Sequence, residues 1–386
     1  MGTLDLATLL ETKEIIITCG PGGVGKTTTA AAAAAIAAAR QGGRVLVLTV
    51  DPARRLADAL GVAGIGNDVV SVDPVLFSQA GVEPRGSLSA AMLDTKKSWD
   101  ELITRHAPNE ATKNRILTNP LYTSLTTRFV QSHDYIAMER LYELHGTGEW
   151  DLIVVDTPPT RNALDFLDAP ARMADFFSSR LLRWLTMPAR SGLLGLASRG
   201  FAQVADRILG RQFLADITEF FGSLESMYEG FVERSQAVSR LLGDERTAFM
   251  VVSSSELVPL REATFFVDQL QQRNFTLAAV VLNRVLPSSL ADSAAADAAS
   301  AITAERDALA EALSKECDVD QAVAYRVLDA MVESYSDLSV IAHREALARA
   351  NFPIGTASLV EVPLFDEDIH DLAGLLRLGE YLIAKR

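Results

Sequence analysis

An α/β fold, with a doubly wound and mainly parallel sheet flanked by helices and interrupted by a helical insert subdomain, is predicted by three observations. Short β-branched apolar runs recur at Glu14–Thr18, Val45–Val50, Leu152–Val155, Phe249–Val252, Ala278–Leu282 and Leu359–Val362. Runs of this kind, without polar alternation, read as strands buried on both faces, as parallel strands are. The first two are joined by an Ala-rich stretch, Thr27 to Arg40, closed by Gly42-Gly43. That spacing implies a right-handed parallel crossover. Three strand-free intervals, Leu88 to Leu144, Arg161 to Leu242 and Ser289 to Ala350, are poor in Gly and Pro or rich in helix formers and read as helical. The expected organisation is one unit over 1–386, with a core of 1–85, 146–170, 245–288 and 353–386. Helical inserts are expected at about 88–144, 161–242 and 289–350.

Composition narrows the function classes. The formal net charge of -14 disfavours a protein that coats nucleic acid, because neutralising phosphates needs a basic face. No nucleic-acid partner is expected. Cys19 and Cys317 are the two cysteines, too few for a disulfide framework, and such usage fits a reducing compartment. The first residues, MGTLDLATLLETKE, are acidic rather than basic before an apolar stretch, and the Ala30 to Ala39 run falls short of the roughly 18 to 20 residues of a membrane span. A cytoplasmic protein, at most peripheral to a membrane, is expected.

The stretch GPGGVGKTTT, Gly20 to Thr29, carries the chemistry. Gly20, Gly25, Lys26 and Thr27 satisfy G-x-x-x-x-G-K-[ST], placed after a predicted strand and before a predicted helix as the motif requires. Its backbone N–H groups would close around phosphate oxygens at the helix N-terminus, so Gly20, Gly22, Gly23, Val24, Gly25, Lys26, Thr27 and Thr28 are the candidate phosphate loop of a P-loop NTPase. Lys26 would reach the β and γ phosphates and the Thr27 hydroxyl would ligate Mg2+. Two carboxylates end apolar strands: Asp156 after Leu152–Val155, and Asp51 after Val45–Val50. Ligands of open α/β sheets gather at the carboxyl ends of strands, so both are expected to face the phosphates, Asp156 holding a Mg2+ water.

These residues, with Asp51-Pro52-Ala53, Leu56-Ala57-Asp58-Ala59-Leu60 and Asp156-Thr157-Pro158-Pro159-Thr160, make the chain resemble the arsenite-efflux and tail-anchored-protein-targeting ATPases of the deviant P-loop class. Asn283 after Val280-Val281-Leu282 and Val362-Pro363-Leu364 extend the resemblance over most of the chain. It implies ATP and Mg2+ as cofactors, Asp51 orienting the attacking water, Lys26 and Asp156 in catalysis, Asn283 reading adenine, and Pro363 and Leu364 bordering the base. It also implies a dimer whose nucleotide state exposes or hides a surface for hydrophobic membrane-protein segments. The alternatives are the soluble energising subunit of an anion or metalloid exporter and a partition or positioning ATPase.

The sequence departs from that class at Pro21, where a lysine usually reaches into the partner's site. Proline fixes its own φ and leaves the loop able to form, but it carries no cation. Either a related lysine-bearing subunit pairs with this chain, or Arg54, Arg55 or Arg161 acts in trans, or the protein is a weakly hydrolysing switch. The cysteines are not paired as in C-x-x-C members, and no metal cluster with the histidines at 106, 133, 145, 343 and 370 is expected. Arg161-Asn162 stands where the family has Gly-His. The insert from Met173 to Phe231 is rich in aromatic and aliphatic bulk, and Arg172 to Arg211 holds seven arginines against Asp175 and Asp206. Such a segment suits a hydrophobic helix client, an anionic membrane surface, or a helical subdomain with its own core.

Overall fold

The computed structural model describes residues 5–50, 55–62, 66–128, 130–157, 163–179, 211–352 and 357–384. Its centre is β1 (Ile15–Cys19), buried along its whole length. The strand period of two divides its side chains: Ile15, Ile17 and Cys19 enter one apolar cluster and Ile16 the other. Around it lie β2 (Gly43–Thr49), β3 (Val70–Ser71), β4 (Gly86–Met92), β5 (Leu152–Asp156), β6 (Thr247–Ser254), β7 (Leu277–Val285) and β8 (Ser358–Pro363). They form one sheet in the order β3-β4-β2-β5-β1-β6-β7-β8, parallel except for the β3/β4 pair. The chain places β2 to β5 on one side of β1 and β6 to β8 on the other, so the switch in strand order falls beside β1.

The helical reading of the interval from Leu88 is corrected at its start. Gly86–Met92 is β4, a strand paired in register with all of β2, and the two-residue β3 pairs antiparallel with it. Its sequence, GSLSAAM, has no β-branched residue, so propensity is silent and pairing with β2 decides.

On one face of the sheet α1 (Leu6–Thr12), α2 (Lys26–Arg40), α3 (Arg55–Ala59), α4 (Pro74–Gln79) and a C-terminal helix, Leu372–Ile383, cover the cluster around Ile16. The Asp366-Glu367-Asp368 run precedes that C-terminal helix, which is capped by Asp371. Every residue from Ala30 to Ala39 is buried. A helix clad only in methyl groups and one Ile36 side chain lies close to the sheet on one side and to the C-terminal helix on the other, and alanine is also the best helix former.

The other face carries α5 (Thr95–His106), α6 (Glu110–Thr118), α7 (Pro120–Arg128), α8 (Val130–Gly146), α9 (Ala163–Ser178), α10 (Arg211–Leu224), α11 (Tyr228–Leu242) and α12 (Leu257–Gln272). An aromatic cluster holds this layer together: Phe177 stacks on Phe231 at 4.6 Å, Trp99 packs on Tyr135 at 5.7 Å, and Tyr122 on Phe220 at 6.5 Å. Several bulky residues of the Met173 to Phe231 insert therefore build the layer's own core; Phe177, Phe220, Met227 and Phe231 are buried, while Phe176 is half exposed. Residues 180–210, with most of the Arg-rich segment, lie outside the described residues. Between β7 and β8 the chain adds α13 (Ser293–Ala304), α14 (Arg306–Cys317) and the 30-residue α15 (Gln321–Ala350); the C-terminal helix Leu372–Ile383 is α16. Among the described residues no helix is long and apolar enough to cross a membrane.

The packing of α16 on α2 depends on Gly379. A Cβ there would stand 2.6 Å from the Ile36 Cβ and 3.0 Å from the Ala32 carbonyl oxygen. Gly379→Val should therefore cost about 1 to 3 kcal/mol through overpacking, read as a lower urea midpoint at unchanged m-value. An unchanged midpoint would show that the two helices can separate freely.

Candidate nucleotide site

The loop after β1 turns sharply and is pressed against two neighbouring strands. Gly20 has φ +141°, and a Cβ there would overlap the Val252 carbonyl of β6. Gly25, the residue before α2, has φ +93°, and a Cβ there would overlap the Asn283 carboxamide. Glycine is required at both positions by backbone conformation and by contact. Asn283 Nδ2 donates to the Val24 carbonyl at 2.9 Å, and the Arg284 N–H donates to Asn283 Oδ1 at 3.0 Å, where Arg284 itself has φ +59°. Asn283, expected beside adenine, thus sits at the carboxyl end of β7 and braces the phosphate loop; this bond uses one of its two N–H donors.

Lys26 opens α2 and is buried, its ammonium donating to the Pro21 carbonyl at 2.8 Å across the loop. Thr27 and Thr28 follow in the first turn and are half buried. A helix's first N–H groups lack intrahelical acceptors and, with the helix dipole, favour a phosphate at this end. The Thr29 hydroxyl bonds back to the Gly25 carbonyl at 2.9 Å and fixes the turn.

Asp156 ends β5 in register with Thr18 of β1 and Thr49 of β2, and its side chain is fully buried. The Thr49 hydroxyl donates to Asp156 Oδ2 at 2.9 Å. Thr18 donates to the Val155 carbonyl at 2.8 Å and Thr157 to the Thr18 carbonyl at 2.7 Å. Three threonine hydroxyls thus staple the carboxyl ends of β1, β2 and β5 side by side. Their signal in the sequence is a threonine near the end of each of the two strands that flank β5 and one just past β5 itself. The Val50 N–H donates to the Asp156 carbonyl at 3.0 Å, which carries the end of β2 up to this carboxylate. Asp51, Arg54 and Arg161 lie outside the described residues, and of Arg55 only the backbone, at the start of α3, is described.

Pro363 ends β8, where an edge strand tolerates proline, and pairs with Val285; the Leu364 N–H donates to the Val285 carbonyl at 3.0 Å. The half-exposed Leu364 side chain therefore stands at the same end of the sheet as Asn283. Cys19, under the loop, donates to the Met250 carbonyl, and burial pushes its thiol pKa well up, so it stays a neutral core thiol.

A turn after the central strand, a lysine at the following helix N-terminus and an acidic strand end beside it define a P-loop nucleotide-binding protein. The donor set fits Mg2+: a threonine hydroxyl and a buried carboxylate are hard oxygen ligands. The family model described as anion-transporting ATPase matches residues 13–344, and the chain belongs to that family of ATPases. It is 27% identical over 290 residues to "ATPase get3" of Schizosaccharomyces pombe, covering 74% of this chain and 77% of that protein. It is 22% identical over 383 residues to "ATPase GET3" of Komagataella phaffii, covering 97% and 90%. A Halobacterium salinarum protein named as an arsenical pump-driving ATPase is 25% identical over 299 residues, 75% of this chain and 38% of that protein.

Gly25→Ala should raise the Kd for ATP by at least about fivefold, since it combines a positive φ with the loss of the Asn283 brace, the two together worth roughly 1 to 3 kcal/mol. Equilibrium binding of a fluorescent ATP analogue checks this; wild-type affinity would mean the loop geometry is not what holds phosphate.

Proposed function

We propose that this ATPase is a dimeric switch that couples Mg-ATP turnover to the binding or targeting of hydrophobic membrane-protein segments. The observation that carries the reading is the Gly20–Thr28 loop, braced by β6 and β7, with Lys26 at its mouth and Asp156 at the neighbouring strand end. Bound Mg-ATP supplies the phosphoanhydride bond and a metal that offsets charge on the phosphates.

The residues then divide the work. The backbone of Gly22 to Thr28 holds the phosphates, and Lys26 shifts from the Pro21 carbonyl to neutralise charge on them. Thr27 and Asp156 would hold the metal, the latter by way of a water. Asp51 orients the attacking water, and Asn283, Pro363 and Leu364 border the base. Pro21 offers no cation to a second site, so that charge comes from a related lysine-bearing subunit or from Arg54, Arg55 or Arg161 of a second copy. Such a cation in other phosphoryl-transfer enzymes is worth about 10³ to 10⁵ in rate.

A mechanical path to the helical layer supports the coupling. α9 begins six residues after Thr157 and delivers Phe177 into the aromatic cluster on Phe231. Asp168 on the same helix pairs with Arg273 at the end of α12 at 3.2 Å. α9 is thus anchored at two points, on Phe231 and on Arg273, and a shift at the end of β5 would act on it. The name of the halobacterial relative favours a second reading, the soluble energising subunit of an export system; reconstituted ATP-dependent anion transport would decide for it.

Lys26→Ala should abolish measurable ATP binding and turnover, whereas Asp51→Asn should leave binding within about twofold while lowering turnover by roughly 10² to 10⁴. Isothermal titration and phosphate release check both; full turnover in Asp51→Asn would remove that residue from its role. Pro21→Lys should raise the turnover of the homodimer by about tenfold or more if the trans cation alone is missing. An unchanged rate would assign the charge to the arginines or to another subunit.

A further inference from the structure

β7 carries a backbone irregularity beside the phosphate loop. Among the described residues three that are not glycine have positive φ: Asn274, Arg284 and Asp318. Asparagine and aspartate enter the left-handed region most readily, and those two lie in the turn after α12 and at the end of α14. Arg284, with φ +59°, is a long side chain inside a strand.

The irregularity is a β-bulge against β8. Leu282 pairs with Glu361 and Val285 with Pro363, so three steps of β7 span two of β8. Strand alternation would put Leu282 and Arg284 on one face. Instead Leu282 and Val285 both enter the cluster around Ile17, and Arg284 is the extra residue, exposed between buried Asn283 and Val285. Packing of Val285 accounts for the bulge but not for an arginine in it. The left-handed residue of a bulge is ordinarily glycine, which bears that conformation without strain. Among the described residues the Arg284 side chain makes no hydrogen bond, ion pair or ring contact that would offset the strain.

Its position decides what it meets. Arg284 follows Asn283, which braces the Val24 carbonyl, and precedes the Val285 carbonyl, to which the Leu364 N–H donates. It therefore stands at the carboxyl edge between the rim of the phosphate loop and Leu364. β6 separates β7 from β1, so the Arg284 backbone lies two strand spacings, about 10 Å, from the end of β1. Lys26, at the start of α2, is the cation for the phosphates. A nucleotide that extends from there along the edge towards Leu364 brings its base to Arg284.

We propose that the Arg284 guanidinium lies on the face of the bound purine and anchors the base; this rests on the nucleotide reading above. A planar guanidinium stacks on an aromatic ring as a compact ammonium does not, and a purine offers such a face. The strained backbone then serves to turn this side chain out of the strand, towards the ligand.

The test is Arg284→Gly in the full chain, with isothermal titration of Mg-ATP and of Mg-tripolyphosphate and with urea unfolding. Glycine removes the side chain and relieves the backbone, so the urea midpoint should be equal or higher. The Kd for Mg-ATP should rise about three- to tenfold. The Kd for tripolyphosphate, which has no base, should stay within about twofold. Arg284→Lys keeps the charge and loses the plane, and should recover little of the lost ATP affinity. An unchanged Kd for ATP, an equal loss for tripolyphosphate, full recovery by Arg284→Lys, or a lower urea midpoint would overturn the proposal. A wild-type protein that binds no ATP would sink the nucleotide assignment and this proposal with it, whereas wild-type binding left intact by Arg284→Gly would remove Arg284 alone.

Discussion

Everything at the carboxyl edge depends on how closely the loop after β1 is pressed between β6 and β7. Gly20 leaves no room for a side chain beside the Val252 carbonyl, and Gly25 leaves none beside Asn283. Such contacts exist only if the three strands hold fixed depths relative to one another. Parallel registers from Ile15↔Thr247 to Cys19↔Val251, and Ser254↔Asn283 one strand further, supply that alignment. The loop is thus a consequence of sheet registration, and the position of Lys26 follows from the loop.

Registration in turn requires covering both faces without letting any helix stand off. On one face the solution is α2, whose alanines and Ile36 are buried and whose outer side meets Gly379. On the other face it is a thick layer in which aromatic side chains fill a larger gap. The two designs differ in what they permit. A methyl-clad helix packed on both sides has little freedom to slide, which suits a fixed phosphate site. A layer of long helices joined by stacked rings includes α9, which begins six residues after Thr157 and is tied to the end of α12 through Asp168 and Arg273.

Much of this was legible in the sequence, for particular reasons. Six strands were readable because parallel strands buried on two faces must be continuously apolar, and the loop because glycine, lysine and threonine at fixed spacing have few other uses. β4 was not readable: GSLSAAM has the composition of a helix or a turn, and its strand character is supplied by seven paired residues of β2. The Asp156 carboxylate could be named in advance, but its threonine partners could not, since Thr18, Thr49 and Thr157 meet only once β1, β2 and β5 are neighbours. The resemblance points Asn283 at the base, whereas its bond to the Val24 carbonyl crosses 259 positions of chain that no local pattern encodes. The aromatic residues of the long insert were conspicuous in composition, yet burial of Phe177, Phe220 and Phe231 depends on which helices meet.

The central claim is that the braced loop, with Lys26 poised on the Pro21 carbonyl, is the phosphate site. The most direct measurement is a crystal structure with Mg2+ and a non-hydrolysable ATP analogue. A triphosphate within the backbone N–H groups from Gly22 to Thr28 is expected, with the Lys26 ammonium moved from the Pro21 carbonyl onto the phosphates and the base between Asn283 and Leu364. A nucleotide bound away from this loop, or a Lys26 that keeps its bond to Pro21 with the analogue present, would contradict it.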